Sequence, residues 1–215
     1  MYIAFQLLFI ALMLATTLYS IIHYQKIKGV YRWIIYQLVV TSIGELYGLY
    51  SLWVLKRVAF PVFHILNPIE YVLYALFFYE LAAIIFIKRF IGVTVVLLIV
   101  FSVSNTLRWQ PLEEDNSNAY LAGAALMVVY SLLYYYELYQ RKDFSVPIVK
   151  LPDFWIVTGI FFLYVGSFFV IGFTRIIVAL DSENATNLNI INLFLNILLY
   201  ALFFYGFRCH TRVRI

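Results

Sequence analysis

Residues 62–87 read VFHILNPIEYVLYALFFYELAAIIFI, a stretch that contains no lysine and no arginine. A helix needs roughly 20 predominantly apolar residues to cross a bilayer, so this stretch is long enough to span one. Six other stretches have the same character and are bounded by charged or turn residues. The sequence therefore predicts an all-α fold, a bundle of seven transmembrane helices near 2–22, 33–55, 62–87, 90–107, 119–139, 155–180 and 188–207.

Composition indicates a membrane protein over the whole chain. Of the 215 residues, 65% are hydrophobic and only 12% are charged, whereas a soluble domain is about half apolar and about a quarter charged. This excludes a disordered chain, a nucleic-acid-binding domain and a soluble enzyme. Because the predicted loops are short, we expect a single seven-helix membrane domain over residues 1–215, with no soluble domain.

The few cysteines and histidines argue against a bound metal or other cofactor. A single cysteine, Cys209, excludes an internal disulfide and a multi-cysteine metal site. The three histidines, His23, His64 and His210, are scattered along the chain. We therefore expect no cofactor, and no catalytic motif indicates an enzyme.

Lysine and arginine are distributed unequally between the two sets of loops, and cytoplasmic loops carry an excess of these residues. Eleven lie on one side, namely Lys26, Lys28, Arg32, Lys88, Arg89, Arg141, Lys142, Lys150, Arg208, Arg212 and Arg214, and three on the other, namely Lys56, Arg57 and Arg108. This predicts a protein of the plasma membrane with its N-terminus outside and its C-terminus in the cytoplasm.

An internal repeat relates the two halves of the chain. Residues 73–79 and 199–205 both read LYALFFY, and LYSIIHYQK at 18–26 corresponds to LYYYELYQR at 133–141. Trp33 and Gly44 of helix two correspond to Trp155 and Gly166 of helix six. We interpret the chain as repeat one at 2–87, a linker helix at 90–107 and repeat two at 119–207, with both repeats in the same orientation. Parallel repeats of this kind occur in transporters with a midplane site; the alternative is a duplication that serves only packing.

The arrangement of three helices, a linker helix and three helices resembles the superfamily that contains SWEET sugar carriers, PQ-loop proteins and opsins. The likeness covers the whole chain, but the specific motifs differ. There is no Pro-Gln pair, and no proline lies inside helices one, two, five or six. No lysine lies inside any predicted helix, which excludes an opsin-type retinal Schiff base.

Shorter phrases carry a second resemblance. They are Glu45 in helix two, H-x-x-N-P-I-E-Y at 64–71, F-W-I-x-x-G at 154–159 and I-I-N-x-x-L-N-I at 190–197. Together they look like a family of small, uncharacterised bacterial seven-helix membrane proteins. That family supplies no mechanism, so the function has to be argued from the residues.

Ionisable residues inside the spans are the first candidates for function, because a charge at mid-bilayer costs at least a few kcal/mol. Glu45 lies near the middle of helix two, on a face that it shares with Gln37 and Thr41. Being the deepest carboxylate, it is the best candidate for binding a proton. Glu80 and Glu137 lie near the inner ends of their helices, where we expect interfacial positions, with Glu137 one turn before Arg141.

Helices three, six and seven add further polar groups. Glu70 shares a face of helix three with Asn67 and Tyr71, and His64 lies at its outer edge. Asn192 and Asn196 share a face of helix seven, while Arg175 lies on helix six. We expect a hydrated, outward-facing cavity whose ligand-binding residues are Glu45, His64, Asn67, Glu70, Tyr71, Arg175, Asn192 and Asn196. The alternative is that these groups only join helices by hydrogen bonds, with Arg175 reaching the outer surface instead of pairing with Glu45 or Glu70.

Two functions fit this pattern. The first is a membrane-embedded sensor that binds a small polar ligand or a proton and acts through a cytoplasmic signalling partner. The second is a SWEET-like transporter of a small solute, coupled to protons or not. The expected partners are thus the lipid bilayer, a small polar ligand or proton, and a signalling protein, with no nucleic acid.

Overall fold

A computed structural model describes residues 2–141, 147–178 and 182–212, without the side chains of 173–188 and 212. The described residues form seven α-helices and no strand. The helices are α1 (Tyr2–Ile22), α2 (Tyr31–Trp53), α3 (Phe60–Leu81), α4 (Ile85–Arg108), α5 (Ser117–Gln140), α6 (Pro152–Val178) and α7 (Ser182–Arg212). This confirms the prediction of an all-α fold.

Six of the described helices are long and apolar enough to cross a membrane. The helix outside that set is α2, which carries Gln37, Thr41 and Glu45 along its length. The chain is therefore an integral membrane protein.

The boundary between α3 and α4 differs from the prediction. We expected a helix to 87 and the next from 90, but α3 ends at Leu81 and α4 begins at Ile85. The buried Glu137 carboxylate accepts hydrogen bonds from the backbone N–H of Ala83, at 3.0 and 3.1 Å, and of Ile84, at 2.7 Å. Because these amides bond to a side chain of α5, the chain turns here and the first turn of α4 starts early.

The helices pack as a closed ring with one helix outside it. Neighbours along the ring are α1–α2, α2–α3, α3–α5, α5–α6, α6–α7 and α7–α1, while α4 packs against α3 and α5. We call the end of the bundle where α1 begins the amino-terminal end, and the end where α7 finishes the carboxyl-terminal end.

Aromatic side chains fill the centre of the ring. Tyr74 and Phe77 of α3, and Tyr200 and Phe203 of α7, are each no more than 2% exposed. They occupy the same places in the two LYALFFY segments. These four residues, here called the aromatic floor, lie closer to the carboxyl-terminal end of the bundle than Glu70 on α3 and Asn196 on α7.

Candidate functional site

A cavity of about 250 Å³ lies inside the ring, on the amino-terminal side of the aromatic floor. It is bounded by α2, α3, α5, α6 and α7, together with the end of the loop before α5. Its lining consists of Gln37, Thr41, Glu45, Phe63, Asn67, Glu70, Tyr74, Asp115, Asn116, Ser117, Tyr120, Leu163, Tyr164, Ile171, Asn192, Asn196, Leu199 and Tyr200.

A chain of hydrogen bonds fixes the deep carboxylate of α3. Gln37 Nε2 donates to Thr41 Oγ1 at 2.6 Å, and Thr41 Oγ1 donates to Glu70 Oε1 at 2.8 Å. Gln37 and Thr41 lie one turn apart on α2, so their spacing places both side chains on the face that meets α3. Glu45 lies one further turn along the same face and also lines the cavity. Two carboxylates thus face one cavity.

Amide side chains line the opposite wall. Ser167 of α6 donates to Asn192 Oδ1 at 2.8 Å, which joins α6 to α7. One turn further along α7, Asn196 Nδ2 donates to the backbone carbonyl of Asn192 at 2.9 Å. Both asparagines line the cavity, as does Asn67 of α3. The wall therefore offers hydrogen-bond donors and acceptors.

Tyrosine rings complete the lining. Tyr164 of α6 has its ring 5.9 Å from that of Tyr74 and 6.3 Å from that of Tyr120, measured between centroids. Tyr200 of α7 lines the cavity as well. The four rings come from α3, α5, α6 and α7, so aromatic surface surrounds the cavity.

Two buried polar atoms of the lining have no hydrogen-bond partner. They are Gln37 Oε1, an acceptor on a residue that is 2% exposed, and Asn116 Nδ2, a donor on a residue that is 3% exposed. A buried polar group without a partner costs roughly 1–3 kcal/mol. Both residues belong to the cavity lining, although these two atoms are themselves buried in the wall.

A hydrogen-bonded cluster holds this rim. Asn105 Nδ2 donates to Gln110 Oε1 at 2.9 Å and to Asn116 Oδ1 at 3.0 Å. Gln110 Nε2 donates to Ser117 Oγ at 3.0 Å. The loop from α4 to α5 is thus fixed to the end of α4, and it carries Asp115 to the mouth of the cavity.

The structure brings together five of the eight predicted site residues. Glu45, Asn67, Glu70, Asn192 and Asn196 all line the cavity. Ligand binding by these residues stays a prediction.

Tyr71 and His64 lie elsewhere. The Tyr71 hydroxyl donates to the backbone carbonyl of Tyr120 at 3.1 Å, between α3 and α5. His64 lies 2.8 Å from Thr106 Oγ1 through Nδ1 and 2.9 Å from the Glu114 carbonyl through Nε2. Its role is therefore to tie the α4–α5 loop to α3. The side chain of Arg175 lies outside the described part of the chain.

Several cavity residues were missed from the sequence. Tyr120, Tyr164 and Asn116 line the cavity, although they are not among the site residues expected from the sequence. The only available signals were the proximity of Asn116 to Asp115 at a helix start and the position of Tyr164 on the same helix as Ser167. Neither signal distinguishes a cavity from a packed interface.

A second polar cluster lies beyond the aromatic floor, toward the carboxyl-terminal end. Asp153, in the first turn of α6, is 6% exposed. Its carboxylate accepts from the hydroxyl of Tyr134 at 3.0 Å and from that of Tyr31 at 3.4 Å. These bonds join α6 to α5 and α2, so the carboxyl-terminal end of the ring is held closed.

Comparison with known proteins gives no match among family models, curated proteins or solved structures. Both resemblances inferred from the sequence therefore stay predictions. The function rests on the geometry of the cavity.

Proposed function

We propose that the protein is a seven-span sensor of the plasma membrane that binds a small polar ligand from outside and acts through a cytoplasmic partner. The observation that carries this proposal is the cavity of about 250 Å³ with Glu45 and Glu70 on its wall.

These features favour a ligand-binding role for the polar residues over the alternative that they only join helices by hydrogen bonds. Protein interiors are close-packed, and buried polar groups are nearly always hydrogen-bonded. An interface built only for packing would fill this space. A polar ligand would occupy it and form hydrogen bonds with the carboxylates and amides of its wall.

Two arguments support seven spans with the N-terminus outside. The α2 helix has 23 residues, or about 34 Å at 1.5 Å per residue, against a hydrocarbon core of about 30 Å. Its polar side chains Gln37, Thr41 and Glu45 face the cavity, where a membrane helix tolerates them. The excess of lysine and arginine on the carboxyl-terminal side supports the orientation.

Cysteine labelling tests the orientation. In a Cys209→Ser background, Glu113→Cys and Lys150→Cys place single thiols in exposed loops at opposite ends of the bundle. A membrane-impermeant maleimide applied to intact cells should label the cysteine at 113 and not the one at 150. The reverse pattern would invert the proposed topology, and with it the side from which ligand enters.

The closed aromatic floor favours a sensor. The four residues of the floor are at most 2% exposed, and Asp153 ties three helices together beyond them. A ligand in the cavity can therefore shift helices without opening a path through the bundle. Such a shift reaches the cytoplasmic side through α6 and α7, which bound the cavity and continue past the floor.

A solute carrier is the second candidate, favoured by the order of helices in the ring. Contacts α1–α2, α2–α3 and α3–α5 in the first half correspond to α5–α6, α6–α7 and α7–α1 in the second. This pattern supports the proposed repeat of three helices, with α4 as a linker outside the ring. In parallel-repeat carriers the substrate binds near the bilayer midplane between the repeats, and this cavity is lined by helices of both proposed repeats.

Thermal stability in neutral detergent tests ligand binding. A ligand that binds only the folded state raises the melting temperature by mass action. The wild type, Glu45→Gln and Glu70→Gln should be compared across pH and a panel of small polar solutes, with Glu80→Gln as the control because Glu80 is exposed on the same helix as Glu70. A solute- or pH-dependent shift that is lost in either cavity variant and kept in the control supports binding.

The opposite outcome is equally clear. If no solute or pH change shifts the melting temperature and both cavity variants melt lower under every condition, the carboxylates only join helices. Where binding is found, uptake of the same solute into sealed proteoliposomes separates the two candidates. A carrier equilibrates the solute across the vesicle membrane, whereas a sensor binds it without flux.

A further inference from the structure

We propose that the cavity takes a small organic cation, an amine or quaternary ammonium compound, held by Glu45 and Glu70 among tyrosine rings. The inference rests on the proposed ligand-binding function and narrows the ligand to one chemical class.

The charge of the cavity is the first argument. Among its described lining residues are three carboxylates, Glu45 and Glu70 on the wall and Asp115 at the rim, and none is lysine, arginine or histidine. A buried carboxylate is costly unless a positive charge or several hydrogen bonds compensate it. An ammonium group provides that charge between α2 and α3, whereas an anionic ligand would add to the repulsion.

The aromatic lining is the second argument. Tyr74, Tyr120, Tyr164 and Tyr200 line the same space from four different helices. The rings of Tyr74 and Tyr164 meet edge to face, at 88°, so they present differently oriented surfaces to the cavity. A cation within about 6 Å of a tyrosine ring is attracted to its face, and quaternary ammonium groups are held in this way by aromatic cages.

The size and lining of the cavity fit an organic cation better than a bare metal ion. Its volume of about 250 Å³ lies just below the range of about 300–1,000 Å³ that is usual for small-molecule pockets. In the part of the chain that the structure describes, no group of three or more histidine, cysteine, aspartate or glutamate side chains is placed to hold a metal. The space is therefore suited to a molecule of a few carbons.

Amino alcohols such as choline and ethanolamine combine the positive charge with a size that suits this cavity. Their hydroxyl group can form a hydrogen bond with the amide side chains of the wall, Asn67, Asn192 and Asn196.

The test compares a cation with its neutral isostere. Choline chloride is titrated into the full chain in neutral detergent, beside 3,3-dimethylbutan-1-ol, in which carbon replaces the nitrogen, and beside sodium chloride. Ethanolamine, glycerol and lactate extend the comparison to a smaller cation, a neutral polyol and an anion. We expect binding and a raised melting temperature with choline or ethanolamine, and neither with the isostere or the salt.

Matched variants locate the site. Each carboxylate attracts the ammonium charge across the cavity, so Glu45→Gln and Glu70→Gln should each weaken cation binding by about tenfold or more. Glu80→Gln should leave it unchanged. Tyr164→Phe keeps the ring and should retain most of the affinity, whereas Tyr164→Leu removes the ring and should lose it.

The outcomes separate this inference from the proposed function. Binding of the isostere as strong as that of choline, or cation binding that survives both carboxylate substitutions, overturns the cation assignment. Binding of glycerol or lactate alone, lost in the carboxylate variants, overturns the cation and leaves the proposed function intact. If no solute of any class binds, both fail. Should the carboxylate variants not fold, the isostere comparison in the wild type and the Tyr164 pair decide the outcome.

Discussion

Replacing Glu137 with alanine should destabilise the turn between α3 and α4. The Glu137 carboxylate accepts three hydrogen bonds from the backbone amides of Ala83 and Ile84, at 2.7–3.1 Å. Glu137 is 7% exposed, and Glu137→Ala leaves two amides at the start of α4 without this acceptor.

The magnitude follows from these two amides. Ala83 and Ile84 are exposed residues, so the loss is that of two net hydrogen bonds, about 1–3 kcal/mol in total. For a chain of this size 1 kcal/mol shifts the melting temperature by about 2–4 °C, which gives a fall of about 2–12 °C. Glu137→Gln keeps the side-chain oxygen and loses only the charge, so we expect about a quarter to a half of that fall.

Thermal unfolding in detergent measures the effect, with Arg141→Ala as the decisive comparison. The sequence alone suggested that Glu137 pairs with Arg141 at the membrane interface. Under that interpretation Glu137→Ala and Arg141→Ala cost the same small amount, whereas the amide bonds predict a large loss for Glu137→Ala alone. Equal melting temperatures for the two alanine variants, both close to the wild type, would refute the reasoning.

Three further predictions concern other parts of the bundle. A Cβ at Gly123 would meet the buried ring of Tyr71, so Gly123→Ala should lower the melting temperature by several degrees, whereas Gly92→Ala, with open space around it, should not. Asp153→Ala removes the acceptor shared by two tyrosine hydroxyls and should lower stability more than Asp153→Asn, which keeps an acceptor oxygen, in the same unfolding assay. His64→Ala releases the α4–α5 loop from α3 and should speed amide hydrogen exchange over residues 110–116, with little change at the carboxyl-terminal end.

Most of the helices could be predicted because a bilayer restricts the choice to apolar helical stretches. The predicted bounds of α1 agree with the structure at both ends, and those of α2 differ by two residues at each end. The α3–α4 boundary was wrong because hydropathy continues unbroken through Ala82, Ala83 and Ile84. The helix α3 ends there because the Glu137 carboxylate of α5 accepts hydrogen bonds from the chain at Ala83 and Ile84. Glu137 lies more than fifty residues away, so the local sequence pattern does not indicate this bond.

Helical spacing predicts which side chains share one face of a helix, and this part of the site could be predicted from the sequence. Thr41 and Glu45 lie one turn apart on α2 and do line the same cavity. His64 lies at the α4–α5 loop and not in the lining of the cavity, because a position near a helix end can face the interior or a loop. Only the course of the α4–α5 loop decides between them. Tyr164 was missed for the opposite reason, since it is one of 19 tyrosines in the chain and nothing local distinguishes it.

The distribution of contacts around the ring bears on how a ligand would act. Within the proposed repeats, Thr41 bonds to Glu70 between α2 and α3, and Ser167 bonds to Asn192 between α6 and α7. These pairs of helices also approach closely at glycines, since a Cβ at Gly44 would meet a leucine of α3, and the corresponding glycine of α6 faces a leucine of α7. Each half is thus tied internally by polar bonds and by close packing.

Hydrogen bonds also join the two halves. Thr16 of α1 donates to the backbone carbonyl of Tyr200 on α7 at 3.2 Å, and Tyr71 donates to that of Tyr120 between α3 and α5 at 3.1 Å. A ligand that touches Glu70 on one half and Asn192 on the other would bridge this junction. It can shift the halves only by as much as it prefers one arrangement over the other, so the strength of its contacts to both walls sets the size of the response.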